Sequence, residues 1–329
     1  MSGRSGAAAA AILVFATFAA TACATKLGGT PVAATSVPDE LPSSTSEGLL
    51  GDLTTVDPCG YVEPELFEEF GRADWGITES LDYCVIDVST DDSEVYLTIG
   101  HLDDQFVEED LEDQRVRDVD EKLWIGQPAD EADYCSLMLV FTDEITLRVD
   151  GQVNEGTVEI CDLVEVGMDG VVEAIKADKV AHREPPADSL QPIDPCDLLS
   201  DASVFAQPGL ADATRYDYPA KHECIWVTDG APTVRLLFAT GPTPVPYGEG
   251  STSSDIAGRS SVVYPVSDSE ESSYCIVDTA HVPFTGPGQD EDVVEIASVW
   301  VDQAIGQVDA ACAAATALAT VVWPKLPGV

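Results

Sequence analysis

Apolar positions along the chain fall into two successive series with the same order. Each has a short helical stripe, two pairs of strand-like runs and a longer helical stretch. In the first, Leu66, Phe67 and Phe70 form the stripe, the spacing of one helix face. Strands are predicted at 84–88 and 95–99, turning at Asp91-Asp92, and then at 135–141 with 145–149. A helix is predicted over about 157–177. In the second series Leu198, Leu199 and Val204 repeat the stripe. Strands follow at 224–228 and 234–239 around Asp229-Gly230, a strong hairpin signal, and then at 275–277 with 293–301. Asp309 is placed to cap a last helix through Ala311, Cys312, Leu318 and Val322, which Pro324 stops. Helix, hairpin, hairpin, helix predicts an α+β fold in each series, an antiparallel sheet with helices on one face.

The cysteines mark the same duplication. Asp57-Pro58-Cys59 recurs as Asp194-Pro195-Cys196, 137 residues on. Cys84-Val85-Ile86 recurs as Cys224-Ile225-Trp226, and Tyr134-Cys135 as Tyr274-Cys275, both 140 residues on. Cys161 and Cys312 are 151 apart, so an insertion precedes the last cysteine of the second copy. The first repeat is therefore expected over 56–181 and the second over 194–329. They are joined by a linker, 182–193, whose Pro185, Pro186 and Pro192 exclude helix and central strand. Four cysteines per repeat allow three pairings. First with second and third with fourth is favoured, because each bond then staples a helix to a neighbouring strand. A loop of about 25 residues closed in this way contributes roughly 3 to 4 kcal/mol. There is no Cys-x-x-Cys pair and no histidine at ligand spacing, so the eight cysteines read as structural disulfides, with no metal site and no cofactor.

The start of the chain reads as an export signal over 1–22: Arg4, an apolar run from Ala7 to Ala20, then small residues up to Cys23. Ala20-Thr21-Ala22-Cys23 resembles the lipobox of bacterial lipoproteins, although that family usually has Leu, Val or Ile where Ala20 stands. The resemblance implies that Cys23 is the diacylglyceryl-modified first residue of the mature chain, which also accounts for the odd ninth cysteine. Cys23 and the Gly-, Ser-, Thr-, Pro- and Ala-rich stretch to residue 55 are expected to form a tether. As a flexible coil it would span roughly 30 Å.

Charge then narrows the field. The chain has 60 Asp and Glu against 15 Lys and Arg, a net charge of -45, and cleavage before Cys23 removes only Arg4, leaving -46. A nucleic-acid binder needs basic residues against phosphates, and so does a protein held on an anionic leaflet by charge. Contact with a membrane is thus expected through the lipid anchor alone. Hydrophobic residues make up 45% of the chain, which is enough for a core and unlike a disordered acidic tail.

Candidate chemistry is sparse, and no catalytic residue is assigned. His101, His182, His222 and His281 are isolated, and Gly258-Arg259-Ser260-Ser261 lacks the second glycine of a nucleophile elbow. The runs 108–113, 130–133 and 290–292 pair carboxylates, but among 60 acidic residues such pairs arise by chance, and they read as solvated surface. Asp150-Gly151-Gln152-Val153-Asn154 reads as a turn rather than a calcium loop. Trp75, Trp124, Trp226, Trp300 and Trp323 are expected in the core rather than in an exposed binding platform.

Asp-Pro-Cys, Cys224-Ile225-Trp226, Gly258 before Tyr274-Cys275, and a last cysteine opening an Ala-rich helix resemble a family of short actinobacterial envelope lipoproteins of unknown function. The second repeat carries the likeness best; the first has Asp87 after Ile86 and no Trp. There is also a looser likeness to the disulfide-stapled extracellular sensor domains of some actinobacterial kinases. The resemblance implies a cell-envelope lipoprotein, here as a tandem duplication, and no activity. The leading expectation is a non-enzymatic ligand-binding or sensing module on the outer face of the cytoplasmic membrane, its ligand an unknown envelope component, with the cleft between the repeats as the first place to look. The alternatives are an accessory protein docking on another envelope protein, and an extracellular hydrolase.

Overall fold

The computed structural model describes residues 44–77, 79–104, 112–266, 273–288 and 292–328, all within one compact unit, 42–329. The export signal, Cys23 and the tether up to residue 43 lie outside the described residues. Residues 44–55 do not behave as tether. They open with helix α1 (Ser46–Leu50), started by Thr45, whose hydroxyl accepts from the Gly48 N–H. Asp143 takes both the backbone N–H and the hydroxyl of Ser46, at 3.0 and 2.8 Å. Leu50 and Leu53 are buried in the first core. Their side chains hold this stretch on the fold, since apolar surface near a core is covered by it.

Among the described residues, fourteen strands make two antiparallel sheets of seven. In the first repeat these are β1 (Arg72–Trp75), β2 (Cys84–Ser89), β3 (Glu94–Asp103), β4 (Arg115–Asp118), β5 (Trp124–Asp130), β6 (Tyr134–Val140) and β7 (Thr146–Glu155). In the second they are β8 (Thr214–Asp217), β9 (Glu223–Thr228), β10 (Gly230–Pro242), β11 (Thr252–Ile256), β12 (Arg259–Val266), β13 (Ser273–Pro283) and β14 (Val293–Gln303). The orders are β1-β2-β3-β7-β6-β5-β4 and, read from the corresponding edge, β8-β9-β10-β14-β13-β12-β11. Each sheet is thus a three-stranded meander followed by a four-stranded one that starts at the far edge and returns to the middle. Identical strand order in the two halves is the structural form of the sequence repeat.

Each repeat has one long helix on one sheet face, α2 (Ile160–Lys176) on β6 and β7, and α5 (Val308–Val322) on β12, β13 and β14. The rest is short: α3 (Pro195–Leu198), α4 (Asp201–Phe205) and single 3₁₀ turns. The class is mostly β, and the α+β expectation is corrected to that. Three strands per copy escape the pattern because they are edge or near-edge strands. β4 and β8 are exposed at every position and show no alternation. The stripe at Leu66, Phe67 and Phe70 is a 3₁₀ turn, Pro64–Phe67, not a helix. Asp309 lies in the first turn of α5, whose cap position is Gln307, so it is not the cap.

The Asp-Pro-Cys motif has a local explanation. Asp57 and Asp194 accept hydrogen bonds from the N–H of Cys59 (3.3 Å) and Cys196 (2.8 Å), and the proline occupies the first turn position. Each cysteine so placed meets a strand. The disulfides are Cys59–Cys84, Cys135–Cys161, Cys196–Cys224 and Cys275–Cys312, first with second and third with fourth in both repeats. They place the folded part in an oxidising, extracytoplasmic setting. No helix among the described residues is long and apolar enough to cross a membrane.

Asp150-Gly151-Gln152-Val153-Asn154 is not a turn but the middle of β7. Gly151 is there because α2 presses on it: a Cβ would stand 2.6 Å from Val164 and 2.8 Å from Ile160.

The repeats share their interiors. Leu81 of the first is buried in the core of the second, and Ala220 of the second in the core of the first. Ser80 bridges Ala239 in antiparallel fashion. Asp82 is hydrogen-bonded to His222, which is 1% exposed. Arg183, from the linker, pairs with Asp57 at 3.2 Å and donates to the Leu81 carbonyl at 2.8 Å. Each repeat also returns to the linker beside it. Val56 bridges His182, and Gly328 lies against Asp188.

Candidate ligand-binding site

The residues singled out in the sequence mostly fall into structural roles. His101 stacks on Tyr218 with ring centroids 5.8 Å apart. His182 sits in the bridge to Val56, its Nδ1 2.9 Å from the Thr55 hydroxyl. His222 lies between Asp82 and the Gln191 carbonyl, and His281 between Arg259 and the Asp188 carbonyl. Of the paired carboxylates, Glu112, Asp113, Asp130, Glu131, Asp133 and Asp292 are exposed, while 108–111 and 290–291 lie outside the described residues. Trp226 and Trp323 are fully buried in the second core, their indole N–H groups donating to Asp201 and Ser261. Trp75, Trp124 and Trp300 are only half-buried. Trp300 faces a cavity, so the core assignment does not hold for it.

The sheet faces turned away from α2 and α5 are where the two repeats part company. In the first sheet Ser136 stands opposite Asp150, and Met138 opposite Arg148. Arg148 Nη2 and Asp150 Oδ1 are 2.9 Å apart, and the hydroxyls of Tyr134 and Ser136 donate to the same carboxylate oxygen. The centre of this face is occupied by a polar network built on the Arg148–Asp150 ion pair, with Arg148 Nε left without a partner among the described residues. In the second sheet the corresponding cross-strand pairs are Ile276 with Trp300 and Asp278 with Ser298. Substitution at those four positions removes the network and leaves a hollow.

That hollow has a volume of about 430 Å³, within the range of small-molecule sites. Its floor includes Leu237, Ile276, Asp278, Ile296, Ser298 and Trp300. Its roof is the segment 242–247, in which Pro242, Pro244 and Pro246 enforce an extended backbone. The Tyr264 hydroxyl donates to the Val245 carbonyl at 3.1 Å and pins this segment over the sheet. Burial, with Asp278 and Tyr247 nearby, pushes the Tyr264 hydroxyl up to about 12, so it remains a donor. The Tyr247 ring lies 4.8 Å from that of Tyr264. Glu79 of the first repeat closes one side, its carbonyl accepting from the Thr240 N–H at 3.4 Å.

Asp278 is the unusual group. Burial raises its carboxyl to about 6, against a smaller opposing effect of the Ser298 hydrogen bond. Its Oδ1 is covered and has no hydrogen-bond partner among the described residues. A carboxylate held in this way is costly to the fold.

The cleft between the repeats at the linker, about 440 Å³, is lined by Asp57, Arg183, Phe284 and Glu295 among others. It is the weaker candidate because its Arg183 and Glu295 are already held by the protein. Arg183 is held by Asp57 and Leu81, and Glu295 by Ser189 (2.5 Å) and the Leu190 N–H (2.6 Å).

Asp278, Tyr247, Tyr264, Glu79 and the 242–247 roof were not singled out in the sequence. One signal was present: within strands that align residue for residue, Asp278 replaces Met138 and Trp300 replaces Asp150. Comparison with protein-family models, with curated proteins and with solved structures returned no match.

Proposed function

We propose that the chain is a non-enzymatic envelope lipoprotein, anchored through Cys23, whose second repeat binds a small ligand between its open sheet face and the 242–247 roof. The observation that carries this reading is Asp278, a poorly solvated carboxyl on the floor of a largely apolar and aromatic cavity. Titratable groups shifted by burial concentrate at functional sites. The first repeat, whose equivalent face is filled by its own ion pair, serves as the platform and supplies Glu79.

A thermal-shift screen of cell-wall fragments, peptides and lipids tests the binding role, run on the whole chain and on Ala239→Phe, which fills the cavity. A ligand at 100 times its dissociation constant stabilises by about 2.7 kcal/mol. The expected result is a class that raises Tm in the natural chain and not in the variant. Equal shifts in both chains place binding elsewhere. Mass spectrometry of the mature N-terminus tests the anchor, and an unmodified Cys23 refutes it.

A further inference from the structure

Resting on that binding reading, we infer the class of ligand: a small organic cation, an ammonium head carried on an apolar body, held by Asp278 and the aromatic rings around it. Three observations converge on this class. The lining contains two carboxylates, Asp278 and Glu79, and no Lys, Arg or His. A cation entering it neutralises buried negative charge, whereas an anion meets repulsion in a medium where charges are poorly screened. The lining also contains Tyr247, Tyr264 and Trp300, and the face of an aromatic ring attracts ammonium and guanidinium groups. The Trp300 ring is already packed by the Arg235 guanidinium, 5.8 Å from its centroid, and by the stacked Tyr274 ring at 4.9 Å, so the rings left to a ligand are those of Tyr247 and Tyr264. Finally, apart from Asp278 and the Ser298 beside it, the floor is apolar at Leu237, Ile276 and Ile296. That suits an apolar body and leaves a sugar, with a hydroxyl on most carbons, largely unpaired.

The two carboxylates have different places in the site. Asp278 is on the floor, opposite Ser298 on the neighbouring strand, and meets the charged head. Glu79 is exposed at the rim and draws cations toward the opening, an effect that salt weakens.

The test uses the whole chain and two probes of the same shape, choline and its uncharged isostere 3,3-dimethyl-1-butanol. Each is titrated against the uncharged dye N-phenyl-1-naphthylamine, bound to the natural chain and to Asp278→Asn, Glu79→Gln and Ala239→Phe. Choline is expected to displace the dye at least tenfold better than the isostere from the natural chain. The preference is expected to fall within twofold in Asp278→Asn and to shrink only partly in Glu79→Gln. Equal displacement by the two probes overturns the cation class while leaving the cavity a binding site. A preference that survives in Asp278→Asn overturns the role of that carboxylate. If the dye fails to bind, or binds Ala239→Phe as well as the natural chain, the binding reading itself falls.

Discussion

Asp82 and His222 hold the same position in their respective repeats, two residues before the second cysteine, and they are hydrogen-bonded to each other. Equivalent positions in mutual contact are the mark of a two-fold interface, here formed within one chain. The His222 Nε2 faces the Gln191 carbonyl at 3.0 Å. A carbonyl only accepts, so in that contact Nε2 is the donor.

Burial alone would raise the Asp82 carboxyl, but the charge and hydrogen bond of His222, with His101 and Arg183 adding, hold it below its ordinary 3.8. A carboxyl depressed in the folded state stabilises fully above its unfolded pKa, and the contribution is lost as pH falls through the folded value. The pair is therefore expected to support the fold at neutral pH and to fail only in acid below about pH 4. Asp82→Ala leaves a buried histidine without its partner, and is expected to cost about 3 kcal/mol in urea unfolding at pH 7. Asp82→Ala with His222→Ala should cost less than the sum of the two single changes. Additivity would show that the contact is incidental.

Asp278 has the opposite sign. Its carboxyl is raised to about 6, so its contribution is most favourable below the unfolded pKa and is lost as pH rises through the folded one. Asp278→Asn is accordingly expected to stabilise the protein by about 2 kcal/mol at pH 7 and to give no gain at pH 4. The groups facing it are Ser298 on β14, Tyr264 on β12, Tyr247 in the roof and Glu79 from the first repeat. None of them is cationic. Unfolding curves of the two chains across this pH interval check the prediction, and a pH-independent difference would refute it.

Leu81 reaches from one repeat into the core of the other and is 1% exposed. Leu81→Ala is expected to lower unfolding free energy by about 3 kcal/mol, whereas Ile77→Ala, at a position 68% exposed, should be close to neutral. Because the cores share residues, calorimetry of the natural chain should show one transition. Two resolved transitions would mean that the repeats unfold separately.

The disulfides close loops of 25, 26, 28 and 37 residues. Each is expected to contribute roughly 3 to 4 kcal/mol, and their combined loss exceeds the stability of most domains. Dithiothreitol should therefore abolish the native circular dichroism of both repeats, and an unchanged spectrum would contradict this.

The cysteine spacing made the duplication, the central strands and the closing helices legible, since a disulfide staple repeats only if the elements it joins repeat. The edge strands β4 and β8 were not legible because a strand exposed on both faces has no alternation to read. Trp300 was misplaced for a related reason. Alternation along β14 tells which residues share its face but not whether that face is covered, and the covering helix lies only on the other side. Asp278 was hidden among 60 acidic residues. What distinguishes it is not its identity but the residue opposite it, Ser298, where the first repeat has Arg148.

The return of each repeat to the linker beside it, Val56 with His182 and Gly328 beside Asp188, bears on how such a protein arises. A unit that finishes where it began can be copied in series with a short joint, because the new copy starts at the doorstep of the old one and neither fold has to open. Once two copies stand side by side, one of them is free to lose an ion pair from its exposed face, since its neighbour still supplies a wall. The hollow around Asp278 stands where the other copy carries its ion pair, with Glu79 of that copy closing one side.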